Sequence, residues 1–225
     1  MEQNTFAKDV SKRTGIQWIQ GLSVLLTGLI IAHLGVTLFL VSALGSDTFT
    51  IFIQGLSKMS HLSIGTCHVA VLILLMVIMT IFTKGYVKPG TVICAFCGGW
   101  IIDFFLFLIG DRISIASPMW LRIIVMLLGC IILSIGMSVV IESNSGTGPN
   151  DLIAIILTDE INKHYNVKFQ WVRIACDVFF VVVGLLLGGI FGIGTLTAAL
   201  VTGPLVQRFL PVSRRIIGKC FPDLI

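Results

Sequence analysis

Residues 119–151 read MWLRIIVMLLGCIILSIGMSVVIESNSGTGPND. From about 119 to 141 the run is almost continuously apolar, with Arg122 its one charge. Hydrocarbon about 30 Å thick is crossed by roughly 20 such residues, each adding about 1.5 Å of helix. The run therefore spans, and then it stops abruptly. Glu142-Ser143-Asn144-Ser145 is polar, and Gly146 and Gly148 free the backbone for a sharp turn. Pro149 suits the first turn of a new helix, where an N–H would have no intrahelical acceptor, and Thr147 is placed to supply a capping oxygen. The apolar stretch that follows, Leu152–Leu157, is too short to cross and reads as a short re-entrant or interfacial helix.

Working outward, six stretches are long and apolar enough to span: about 18–42, 66–83, 90–109, 119–141, 169–190 and 192–210. Trp18, Trp120 and Trp171 fall near their borders, where amphipathic rings settle. A second short stretch, Phe49–Leu56, matches Leu152–Leu157 in kind. Composition agrees: apolar types make up 56% before 23 glycines are added, and charged residues are 12%, against about 25% in soluble domains. A soluble enzyme, a disordered chain and a nucleic-acid binder are thereby excluded. The expectation is an all-α membrane protein, one polytopic domain over 1–225 surrounded by a lipid bilayer. Of the six cysteines, Cys94, Cys97, Cys130 and Cys176 sit inside apolar runs, where free cysteine packs as a small hydrophobe, so no disulfide framework is implied.

The first span resembles a leader, with Lys8, Lys12 and Arg13 ahead of it and Val41-Ser42-Ala43 at its end. Its apolar run exceeds the ~7–15 residues of a signal sequence, so it is expected to stay as an uncleaved helix. With the N-terminus inside, Lys8, Lys12, Arg13, Lys84, Lys88, Lys163, Lys168, Arg208, Arg214, Arg215 and Lys219 all fall on the cytoplasmic side. Only Lys58 and Arg112 fall outside, which places both tails, 1–15 and 211–225, in the cytoplasm.

The chain also matches itself. Gly28, Gly35 and Gly45 correspond to Gly129, Gly136 and Gly146, each 101 residues on. Gly85, Gly90, Thr91 and Gly99 correspond to Gly189, Gly194, Thr195 and Gly203 at 104, and Thr48–Ser60 corresponds to Pro149–Ile161. Each half, about 18–110 and 119–210, reads as long span, short helix, span, span. Three crossings is an odd number, so the second copy enters from the opposite side, an inverted repeat of the kind that places transporter sites at the repeat interface. The small-residue stripes Thr91, Cys94/Ala95, Gly98 and Thr195, Ala198/Ala199, Thr202 are expected to pack on each other near the pseudo-twofold axis.

Polar groups at membrane depth are costly unless paired or facing a cavity, so they are site candidates. Asn144, Thr147, Asn150 and Asp151 lie at the glycine-rich break, and Thr195, the match of Thr91, stands near the sixth span's start, where it can face a cavity. The helix N-terminus there favours an anion, while Asp151 either fills that role itself or binds a cation or proton. Glu142, Arg173 and Asp177 would set the charge balance, Arg173 and Asp177 being four apart on one helical face. His33 within the first span is a proton-carrying candidate or an interhelical hydrogen-bonding group, and Asp103, matched with Gln207, is a weaker candidate. Cys94-x-x-Cys97 lies mid-helix without neighbouring ligands, and no histidine spacing suits zinc. No metal, cofactor or catalytic constellation is implied.

Gly136, the segment Gly146–Asp151, Arg173, Gly184 through Gly188-Gly189 to Gly192-Ile193-Gly194-Thr195, and Gly203-Pro204 together resemble the YczE/YyaS/YitT group of bacterial integral membrane proteins. The resemblance covers the second half well and the first loosely, since Ser46-Asp47-Thr48 stands where the second half has Thr147-Gly148-Pro149. It implies a small polytopic protein of the bacterial plasma membrane and no particular chemistry. The leading functional expectation is a small inverted-repeat transporter or permease for an unidentified small molecule or ion, not an enzyme. The alternative is a non-transporting accessory or assembly protein that binds a partner helix. A homodimer is compatible with both.

Overall fold

The computed structural model describes residues 13–82, 87–110, 116–167 and 169–224. Lys8, Lys12, Lys84, Arg112 and Lys168, used above for orientation, lie outside the described residues. Helices account for the fold: α1 (Gly15–Ser42), α2 (Thr48–Ser60), α3 (Ile64–Phe82), α4 (Pro89–Ile109), α5 (Met119–Ser143), α6 (Pro149–Asn162), α7 (Phe169–Leu186), α8 (Ile193–Thr197) and α9 (Gly203–Cys220). A π turn, Ala198–Thr202, joins α8 and α9 into one 28-residue helix, Ile193–Cys220. Among the described residues there is no strand. Among the described residues, five helices are long and apolar enough to cross a membrane: α1, α3, α4, α5 and Ile193–Cys220. The sixth sequence candidate, 169–190, is the 18-residue α7, which carries Arg173 and Asp177.

The centre is the antiparallel pair α1 and α5. Gly28 lies against Gly136 and Gly35 against Gly129, so that backbone meets backbone at both points. Around this pair Ala32, Val36, Phe39, Met126, Cys130 and Leu133 form the main core. The ends of the two helices close in the same way. Ala43 and Asn144 both adopt left-handed φ (50° and 49°), followed by Gly45 and Gly146 at φ 105° and 142°. Arg122 Nε and Nη2 donate to the Ser42 and Ala43 carbonyls at 2.7 and 2.9 Å, and Arg13 Nη1 and Nη2 donate to the Ser143 carbonyl at 3.3 Å. Each guanidinium thus satisfies carbonyls that a helix C-terminus leaves without partners. Arg122→Met is expected to leave the buried Ser42 carbonyl unpaired and to destabilise the fold by about 2 kcal/mol, read by thermal unfolding in detergent.

α4 packs on α1 and α9 packs on α5, while α2 lies on α7 and α6 on α3. The small-residue stripes of α4 and the 193–220 helix do not form the central contact expected of them: α4 packs on α1 and α9 on α5, and α1 with α5 forms the central pair because four glycines let those two approach closest. α3 also packs tightly on α4, where Gly65 and Gly99 touch through backbone and Asp103 accepts from Ser63 Oγ (2.5 Å) and Gly65 N (2.8 Å), capping α3. α7 makes no comparable packing with α9, and Gly203, the match of Gly99, has open space where a side chain would stand. α9 continues to Cys220, past residue 210 where the apolar run ends. Its last turns are amphipathic, with Ser213 and Ile217 buried against the bundle and Arg214 and Arg215 exposed.

Candidate functional site

The two short helices start differently, and their starts matter most. Asp47 caps α2: its Oδ1 accepts from Thr50 N at 3.1 Å and its Oδ2 from Ser46 Oγ at 3.4 Å. α2 then runs parallel to α7. Gly55 nests on the Gly184 carbonyl, Gln54 Oε1 accepts from Ile190 N (3.2 Å), and Lys58 Nζ donates to the Gly188 carbonyl (2.6 Å). Phe49 and Phe52 pack on Phe180, with ring centroids 5.2 and 5.7 Å apart. α6 begins at Pro149 with Gly148 as its N-cap and no side-chain cap, so Thr147 does not play the capping part read from sequence; the helix starts one residue too late for it. Leu152 and Ile156 then seat α6 against Met79 of α3.

Both N-termini reach the polar face of α7. Thr48 Oγ1 donates to Asp177 Oδ1 at 2.7 Å, Arg173 Nε lies 3.4 Å from Asp177 Oδ2, and Arg173 Nη1 donates to Asp151 Oδ1 at 2.7 Å. Asn150 Nδ2 adds a longer bond to the same Asp151 oxygen, 3.4 Å. One continuous polar chain therefore runs Thr48–Asp177–Arg173–Asp151–Asn150 from the start of α2 to the start of α6. It is not sealed: the side chains of Arg173, Asp177 and Asp151 keep 39%, 32% and 19% of their surface accessible.

Of the residues singled out from sequence, Asn150, Asp151, Arg173 and Asp177 come together here. Glu142 does not join them; its Oε2 pairs with Arg214 Nε of α9 at 3.3 Å. Asn144 is the left-handed C-cap of α5, its carbonyl 3.5 Å from Arg13 Nη1. Thr195 is buried at the start of α8, its Oγ1 accepting from Gly192 N (3.4 Å) and standing against Gly45. His33 forms a separate group: its Nδ1 bonds to the Leu29 carbonyl at 2.8 Å, and its ring stacks on His68 at 5.4 Å. Gly98 makes room for both rings.

Sequence reading passed over Asp47, Thr48 and His68. Asp before a threonine and an apolar run is a helix-start signature, and it was available. His68 carried no such signal, because only the packing of α3 on α4 turns it inward, onto the ring of His33. Near the break, burial, and after it the charge of Arg13, holds the Lys88 ammonium below the ordinary lysine range. A groove of about 570 Å³ between α3, α6 and α7, lined by Leu75, Ile153, Leu157, Trp171 and Phe179, is apolar and stands apart from this chemistry.

Comparison with known proteins places this architecture. The model of a family described as "Family of unknown function (DUF6198)" matches residues 19–211. "Uncharacterized protein YyaS" of Bacillus subtilis (strain 168) is 28% identical over 188 residues, 84% of this chain and 91% of its own. "Uncharacterized membrane protein YczE" of the same organism is 29% identical over 192 residues, 85% of this chain and 86% of its own. A Haemophilus influenzae protein is 26% identical over 195 residues, 87% and 85%. No solved structure matches. Matched by the family model over most of its length, and by YyaS and YczE over a similar extent, the chain belongs to DUF6198 and to the YczE/YyaS group.

Proposed function

We propose that this protein is a small transporter or permease for a small solute or ion, built as two inverted three-span repeats in the bacterial plasma membrane with both termini cytoplasmic. The observation that carries the reading is the polar chain joining the starts of two short helices through Arg173 and Asp177. Interrupted helices whose ends meet beside a repeat interface are how many secondary transporters hold a solute away from lipid.

Paired contacts support the inverted repeat. Gly194 N donates to the Leu44 carbonyl (2.8 Å) as Gly90 N donates to that of Ser145 (3.0 Å), and these residues correspond under the sequence match. Arg122 and Arg13 cap opposite ends of the central pair in the same manner. Counting α7 gives six spans, and its two charges are tolerable at depth because they are paired. The partial exposure of the cluster supports a solute path; no bond-making chemistry is assigned to it.

Two measurements test this. Single cysteines replacing Lys88 and Ser117 in a cysteine-free background should label from opposite faces of the membrane; labelling from one face overturns the repeat. Folded protein in proteoliposomes should move at least one member of a panel of inorganic ions, amino acids and organic acids. Absence of flux across that panel overturns transport.

A further inference from the structure

The geometry points to a small carboxylate-bearing solute as the ligand, seated at the start of α6 on the backbone N–H groups of Gly146, Thr147, Gly148 and Asn150 and the hydroxyl of Thr91. This rests on the transporter reading for its purpose, but not for its site.

The two halves solve the same problem in different ways. At the start of α2 the Asp47 carboxylate receives the Thr50 N–H. The matched position, 101 residues on, is Gly148, which has no side chain to offer. For want of one, Asp151 N–H turns back on the Gly148 carbonyl at 3.0 Å. Among the described residues the N–H groups of Gly146, Thr147, Gly148 and Asn150 find no acceptor. Such a run of free N–H groups before a helix is an anion-binding arrangement.

A second, independent feature marks the same place. Thr91 is fully buried, and its Oγ1 has no hydrogen-bond partner. It faces the loop: a Cβ built on Gly146 would lie 3.0 Å from it. Buried hydroxyls without partners are rare, and a ligand oxygen at the loop would give this one an acceptor. Its match, Thr195, does have a partner, Gly192 N. The obvious objection is Asp151, whose Oδ2 would lie 4.0 Å from a Cβ on Gly148. Arg173 answers it, holding that carboxylate at 2.7 Å. Arg13, donating to Ser145 Oγ at 3.2 Å, places a second cation beside the loop's first residue.

A carboxylate is favoured over other anions because a carboxylate already fills this position in the first half. A Cβ on Gly148 would meet Asn150 Oδ1 at 2.6 Å and no backbone atom among its nearest neighbours, so the carboxylate takes the place of the Asn150 amide, the end of a flexible side chain that turns aside on binding.

The test uses purified full-length protein in detergent, with sodium acetate as probe and sodium chloride at equal ionic strength as reference, read by thermal unfolding and calorimetric titration. Wild type should show a saturable rise in midpoint with acetate beyond that with chloride. Gly148→Asp should raise the midpoint without ligand and abolish the acetate response, because its own carboxylate occupies the site. Thr91→Val, which deletes an unpartnered hydroxyl, should keep the unliganded midpoint and weaken acetate binding about tenfold. No acetate-specific shift in wild type up to 100 mM overturns the proposal, as does a full acetate response in either variant. Acetate binding without flux of labelled acetate in proteoliposomes overturns transport and leaves the site. Flux of another solute, with no acetate-specific shift, does the reverse.

Discussion

Replacing Gly136 or Gly35 by alanine is expected to remove most of the folded protein recovered in detergent, with Gly28→Ala less damaging and Gly129→Ala least. The order follows from what a single added methyl would strike. On Gly136 it would meet the Ala32 backbone nitrogen, and on Gly35 the Leu133 backbone nitrogen, both inside van der Waals contact. On Gly28 the nearest atom is Val140 N at 2.8 Å, and on Gly129 it is the Gly35 carbonyl at 3.0 Å. Backbone atoms cannot step aside as a flexible side chain can, so α1 and α5 would have to separate. In a bilayer, close backbone approach is a main source of helix association, because lipid tails compete on equal terms with apolar side chains. Overpacking usually costs about 1–3 kcal/mol; at the two tightest glycines the upper end or more is expected. Monodispersity by size exclusion and the thermal midpoint would rank the four variants. Equal tolerance of all four would show that the central pair is not in contact as described.

The same glycines explain why so much of the fold was legible. Their fixed separation of 101 residues pointed to a repeat, and backbone contact between them is what holds α1 against α5. Long apolar runs are the strongest sequence signal a membrane chain offers, and five of the six stretches became helices able to span. The short helices were legible too, since Pro149 and the polar residues around it could start nothing else. Contact partners were harder to foresee. Small-residue stripes on α4 and the 193–220 helix look alike in sequence, but which helix each meets depends on the closest-fitting neighbour, and that is a property of the whole bundle. Arg173 with Asp177 followed from helical spacing, whereas Arg173 with Asp151 and Asp177 with Thr48 join residues 22 and 129 apart and have no local signature. Glu142 shows the converse: it stands at the right end of α5 for the cluster but turns to Arg214, because α9 lies on that face of α5 and α7 does not.

Arg173→Leu should be the most damaging change in the polar cluster, because it strips two carboxylates of their shared cation at once. Asp151 lies 2.7 Å from Arg173 and Asp177 lies 3.4 Å from it. Removing one partner of a buried ion pair costs about 3–5 kcal/mol, most of it the penalty on the charge left behind. Here all three side chains are partly exposed, so the lower end, about 3 kcal/mol, is expected. Asp151→Asn in the Arg173→Leu background should restore part of the loss, since the orphaned charge is gone; a double-mutant coupling of about 1–3 kcal/mol would measure it. Arg173→Lys is expected to be intermediate. Arginine's planar fork reaches one carboxylate through Nη1 and the other through Nε, whereas a single ammonium cannot hold both positions. The three variants also separate structure from function. If the cluster only braces α2, α6 and α7, flux in proteoliposomes should follow the folded fraction. If it lines the solute path, the Arg173→Lys molecules that fold should still transport poorly, because the charge is kept and its geometry is lost. Normal flux per folded molecule in Arg173→Lys would remove Arg173 from the path and leave it a strut between three helices.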